Sequence, residues 1–283
     1  MPGQNPSTSP PSSKSGTVKI FLALMSVLAL LFLFANRQNL FQTGKESNST
    51  GIQQQKEPII HDPNPEATQA SNQRQALNQK GSQLLEAGKF DEAIATFTEL
   101  VKTKENDAAA YHNLGIAYSK KGDYPSAIRE FTKAIEIDPK FETALYSLAI
   151  TYEENNNRTK ALETFNRLLQ INPAEKRALL RVGVIYDAQN KFDEAIQAYQ
   201  KAVAADPNYY IAWFNMGNTY LQQKLYDKAI GSYENAIKAK PDYANPYVNM
   251  AHCYMSKGNN AKAQELFKKA VQLDPSLKAM PLK

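Results

Sequence analysis

Residues 212–241 read AWFNMGNTYLQQKLYDKAIGSYENAIKAKP, and they decide the fold. Trp213, Met216, Gly217 and Tyr220 stand at i, i+3, i+4 and i+7, which is one stripe of an α-helix. Tyr226, Ala229, Ile230, Tyr233, Ala236 and Ile237 form a matching stripe on a second helix. Pro241 closes that helix, because proline has no amide hydrogen to continue the ladder. The stretch is therefore a helical hairpin with two apolar faces to hide.

The same pattern recurs at a period of 34 residues without insertion. One register is Leu84, Tyr118, Tyr152, Tyr186, Tyr220 and Tyr254. A second is Ala93, Ala127, Ala161, Ala195, Ala229 and Ala263, and a third is Phe97, Phe131, Phe165, Tyr199, Tyr233 and Phe267. Pro139, Pro173, Pro207, Pro241 and Pro275 repeat likewise, with Glu105 in the first place of the series. Small residues at Gly115, Ala149, Gly183, Gly217 and Ala251 let backbones approach while the aromatics fill the remaining space. A hairpin cannot bury its stripe alone, so the units must stack.

This spacing resembles the tetratricopeptide repeat, whose W-L-G-Y-A-F-A-P signature is met in order by Trp213, Met216, Gly217, Tyr220, Ala229, Tyr233, Ala236 and Pro241. The resemblance implies an all-α, right-handed superhelical solenoid whose first helices line a concave groove for peptides or partner helices. It covers a domain at 66–277, as repeats 74–107, 108–141, 142–175, 176–209, 210–243 and 244–277, followed by a short tail at 278–283. That tail is too short for a further capping helix, whereas Asn64 and Pro65 mark a helix start well before Arg74. Departures fall mostly at the ends: Lys80 and Thr103 in the first unit, Asn260 and Gln264 in the last. Polar residues there avoid an exposed apolar patch on faces that have no neighbour. Arg158, in an aromatic place of the third unit, predicts a looser hairpin.

The leading part of the chain differs. Residues 20–35 read IFLALMSVLALLFLFA, with Ser26 the one polar member and Lys19 and Arg37 as flanks. The run at 18–36 is expected to be a transmembrane anchor, kept rather than cleaved, because no small-x-small site precedes Ala35. A Pro- and Ser-rich tail at 1–17 and a polar linker at 37–65 are expected to be disordered and flexible. Lys14 and Lys19 with no acid before the run favour a cytoplasmic amino terminus and repeats on the far side, in a periplasm or lumen.

By the resemblance, groove-facing side chains stand at the second, fifth, sixth and ninth places of each first helix. These include His112, Asn113, Ile116, Tyr146, Ile150, Arg177, Leu180, Arg181, Val184, Ile211, Phe214, Asn215, Asn218, Asn245, Asn249 and His252. Asn113, Asn215 and Asn249 carry amides able to bond both N–H and C=O of an extended peptide. Phe214 and Tyr146 are expected to supply most of the affinity. Arg177 and Arg181, four apart, resemble half of a carboxylate clamp; the other clamp places hold His112, Ile116 and Ser147, so the clamp is incomplete.

Net charge is +5, but basic and acidic residues interleave from Arg74 onward, which argues against nucleic acid. With Cys253 the single cysteine and His61, His112 and His252 far apart, no metal or cofactor site, small-molecule substrate pocket or catalytic constellation is expected. The expected function is a non-catalytic, membrane-tethered scaffold for a protein or peptide partner. An accessory subunit of a membrane enzyme or secretion system, and a chaperone adaptor, are the alternatives.

Overall fold

The computed structural model describes residues 65–279, which form twelve α-helices, a terminal 3-10 turn and, among the described residues, no strand. The helices are α1 (Pro65–Glu86), α2 (Phe90–Thr103), α3 (Ala108–Lys121), α4 (Tyr124–Ile137), α5 (Glu142–Glu154) and α6 (Arg158–Ile171). They continue as α7 (Lys176–Ala188), α8 (Phe192–Ala205), α9 (Tyr210–Gln222), α10 (Tyr226–Ala239), α11 (Ala244–Ser256) and α12 (Asn260–Leu273). Consecutive helices pair as six antiparallel hairpins, α1 with α2 through α11 with α12, and each second helix packs on the first helix of the next hairpin. The 3-10 turn Pro275–Ala279 folds back on α12.

Local chemistry sets each turn. Within every hairpin one residue takes a left-handed conformation: Gly88, Gly122, Asn156, Asn190, Lys224 and Gly258, again at one register. That residue reverses the chain so that the next amide reaches back five residues, as in Asp123 N to Tyr118 O at 2.9 Å and Leu225 N to Tyr220 O at 2.9 Å. Between hairpins, the residue before the proline folds its carboxylate or amide onto the following turn. Asp138, Asn172, Asp206 and Asp274 each accept from the amide two residues on, at 2.9 to 3.2 Å. Asp107, Asp123, Asn157 and Asn259 cap first-turn amides of α3, α4, α6 and α12.

The core is the period-34 set made solid. Ala93, Ala127, Ala161, Ala195 and Ala229 are each 0 % exposed, and Phe97, Phe131, Phe165, Tyr199 and Tyr233 at most 1 %. The polar departures Lys80, Asn260 and Gln264 are exposed, as faces with no neighbouring hairpin require. Arg158 is exposed at the start of α6, and the third hairpin packs less extensively than the second and fourth.

First helices also touch the first helices of the next hairpin (α1 with α3, α3 with α5, α7 with α9, α9 with α11), while second helices make no comparable contact with one another. The array thus closes toward the first-helix side, and the contact of α5 with α7 is the slackest of that series. Among the described residues no helix is long and apolar enough to cross a membrane; residues 1–17, 18–36 and 37–64, with the anchor, tail and linker expectations, lie outside them.

Candidate functional site: the first-helix face

The fifth place of the first helix is a packing position in the fourth and fifth hairpins, which corrects two sequence expectations. Phe214 is 0 % exposed and Leu180 2 %, so neither offers surface to a partner. Side chains on a helix lean toward its amino-terminal end, and here that lean drives the fifth residue under the residue that caps the next hairpin. Phe214 accordingly lies 5.1 Å from the Tyr243 ring and 5.9 Å from Tyr233. His112 sits in the same way, 5.2 Å from Phe141 and 5.5 Å from Phe131. Tyr146 is half-buried, with its ring edge-on to Phe165 at 5.8 Å.

Tyr146 differs because Glu175, not an aromatic, caps the next first helix. The space is filled from α7: the Arg177 guanidinium lies 4.6 Å from the Tyr146 ring centroid. Its Nε and Nη2 donate to the two Glu175 oxygens at 2.9 and 3.1 Å, and its backbone amide adds a third bond at 3.0 Å. Burial by itself would raise the Glu175 carboxyl; the Arg177 side-chain and main-chain hydrogen bonds outweigh it and hold the group below its ordinary value. Arg181, on the same face, places Nη1 4.0 Å from Glu153 Oε2. The two arginines are brought together as their spacing implies, but each is already engaged by an acid. A forked hold on an external carboxylate would have to displace these contacts.

A polar tie crosses each junction between neighbouring first helices. Asn113 Nδ2 donates to Asn78 Oδ1 at 2.7 Å, and His112 Nε2 lies 3.1 Å from Ser147 Oγ. Arg181 faces Glu153 at the third junction. At the fourth, Asp187 accepts from the buried Thr219 hydroxyl at 3.0 Å and from Gln222 at 3.4 Å. At the fifth, Asn249 Nδ2 donates to Asn218 Oδ1 at 2.8 Å, and the Tyr233 hydroxyl donates to the same oxygen, also at 2.8 Å. Burial pushes the Asp187 carboxyl upward, with the Thr219 and Gln222 bonds opposing.

Asn113 therefore stands at the first junction and Asn218 and Asn249 together at the fifth, with Asn215 half-buried on α9 on the same face. Half-buried Ile116, Ile150 and Val184 occupy the ninth place in the second to fourth hairpins, where the fifth and sixth have Asn218 and His252. The face is thus aliphatic in one half and amide-rich in the other. Glu153, Glu175, Asp187 and Thr219 escaped the sequence reading, which took Tyr233 only as a packing aromatic; tyrosine in place of phenylalanine in that register was the available sign for its role here.

Among the described residues, no three His, Cys, Asp or Glu side chains are grouped to hold a metal ion. Cys253 is buried, and burial pushes its thiol up to about 11, so it stays protonated at neutral pH.

A stack of helical hairpins, each packed on the next, defines the class of helical-repeat proteins. The chain belongs to the tetratricopeptide repeat family. Models described as "Tetratricopeptide repeat" match residues 108–141, 146–210, 183–244 and 221–279, and one described as "TPR repeat" matches 81–122. No curated protein sequence matches the chain. Among solved structures, MamA is 28% identical with a TM-score of 0.55, covering 58% of this chain and 96% of its own. YrrB, described as a TPR protein with an unusual peptide-binding site, is 23% identical (TM-score 0.53; 63% of this chain, 92% of its own). PilF of Pseudomonas aeruginosa shares the fold at 16% identity and a TM-score of 0.61, covering 73% and 94%. This family fold is typical of protein–protein interaction.

Proposed function

We propose that this protein is a non-catalytic scaffold, tethered to a membrane through residues 18–36, that binds a peptide or partner helix on its first-helix face. The observation that carries the binding reading is the amide-rich half of that face. Asn218 and Asn249 are half-buried and held in place by neighbours, yet each keeps hydrogen-bonding capacity beyond the bonds described. Groups fixed before binding lose less freedom on association, so such a surface recognises a partner at low entropic cost. The half-buried Ile116, Ile150 and Val184 supply apolar area upstream of it.

The test is co-purification from detergent-solubilised membranes with full-length chain carrying Asn218→Ala and Asn249→Ala together. The partner set of the parent is expected to be depleted. An unchanged set overturns the assignment of this face.

The tether rests on the uninterrupted apolar run at 20–35 and its basic flanks. The chain should stay with the membrane through an alkaline carbonate wash and leave it only in detergent. Release by carbonate defeats the anchor. A carboxyl-terminal alkaline phosphatase fusion should be active, since the repeats are placed outside the cytoplasm; a fluorescent but phosphatase-inactive pair of fusions reverses that placement.

A further inference from the structure

Tyr233 is 0 % exposed, and in four hairpins its register holds phenylalanine: Phe97, Phe131, Phe165 and Phe267. Packing therefore does not require the hydroxyl. A buried hydroxyl is costly unless bonded, and this one is bonded outward, to Asn218 Oδ1 on the first-helix face. Burial pushes the phenol well above its ordinary value, so it is a donor at any ordinary pH. The hydroxyl oxygen can still accept, but its buried hydrogen needs an acceptor and reaches Asn218 Oδ1, so turning the amide round would leave that O–H unpaired; this favours the oxygen end facing inward. Asn249 reinforces the choice by donating to the same oxygen.

We infer that Tyr233 is a positioning residue for main-chain recognition: from inside the core it fixes which way round the Asn218 and Asn249 amides meet a bound peptide. With its oxygen turned to Tyr233 and Asn249, Asn218 must turn its NH2 away from them. Asn249, having spent one N–H on Asn218, keeps its oxygen as an acceptor. The pair then offers one donor and one acceptor in a set order, the complement of a peptide unit's C=O and N–H. With phenylalanine at 233 the Asn218 amide can adopt either orientation, and part of the population presents the wrong one. The geometry that permits this is local, since Gly217 leaves the space the ring occupies.

This inference rests on the proposed binding face, and the experiment separates the two. The probe is a fluorescently labelled pool of random-sequence dodecapeptides, capped at both ends, and a second pool with alternate peptide nitrogens methylated. Binding to the full chain in detergent is measured for the parent, Tyr233→Phe, Asn218→Ala and Asn249→Ala. Tyr233→Phe should weaken binding of the unmethylated pool about threefold to tenfold, as loss of one well-placed hydrogen bond predicts. The methylated pool should be affected much less, so the parent's discrimination between pools shrinks, and the Asn218 side-chain NH2 resonances should move in the peptide-free protein. Parent-like affinity and discrimination in Tyr233→Phe, with both asparagine variants impaired, overturns the positioning role alone. Parent-like binding in the asparagine variants, or no binding of either pool by the parent, overturns the binding face itself.

Discussion

A methyl group built on Gly217 would stand 2.5 Å from Cε1 of the Tyr233 ring, so the ring of the second helix rests directly on the backbone of the first. Gly183 and Tyr199 repeat the relation at 2.4 Å, and Gly115 and Phe131 at 2.7 Å. Gly217→Ala should therefore destabilise by about 1 to 3 kcal/mol through overpacking. Gly231, in the middle of α10, has nothing within 4 Å of its missing methyl. Gly231→Ala should instead stabilise by about 0.5 to 1 kcal/mol by raising helix propensity. Chemical denaturation of the two variants checks this, and equal shifts of one sign would refute the close approach at Gly217.

Lys224 has a φ of 61°, at a register where the other five hairpins place glycine or asparagine. A lysine there carries the clash of its Cβ with the following carbonyl, which glycine lacks. The greater freedom of glycine in the unfolded chain offsets part of the gain. Lys224→Gly should raise stability by about 0.5 to 1 kcal/mol. The mirror change, Gly122→Ala, puts a side chain at a φ of 87° and should cost about 1 kcal/mol. Thermal melts of both would show opposite shifts.

Asp107 links the first hairpin to the second twice over. It caps α3 by accepting from Ala110 N at 3.3 Å and pairs with Arg74 of α1. Asp107→Ala should cost about 0.5 to 2 kcal/mol, most of it from the cap, since the ion pair is partly solvated. Asp107→Asn keeps the cap acceptor and should recover most of the loss in a urea titration.

The hairpins were legible because helix stripe, small residue and proline all recur at one period, so local preference and global packing agree. The six left-handed turn residues carry the same register, but the sequence reading did not single them out: five are glycine or asparagine, and Lys224 carries no such sign. The face was less legible. Family spacing placed Phe214 and Leu180 in the groove, but the sequence alone does not show that Tyr243 and its counterparts roof the fifth place. Nor does it show that Glu175 draws Arg177 onto Tyr146, because that depends on which side chain fills a gap left by a missing aromatic.

Burial lowers the pKa of both His112 and His252 from its ordinary value; at His112 a side-chain bond with Asn113 opposes. A histidine with a depressed folded value binds its proton more readily when unfolded. Its contribution to stability is thus present above the unfolded value and lost as pH falls through and below it. Melting temperature should fall between pH 7.5 and 5.5, and the fall should be smaller in His112→Asn with His252→Asn, whatever the variant's baseline. Asp187 acts with the opposite sign, because burial raises its folded value and protonation then favours the fold. The site of damage is also specified. Protonated His112 is wedged between Phe131 and Phe141 with Ser147 as its polar neighbour, so acid should loosen the contact between α3 and α5 first. Hydrogen exchange at pH 5.5 should therefore speed up in α3 and α5 before α7 to α10, and uniform acceleration along the array would refute that origin.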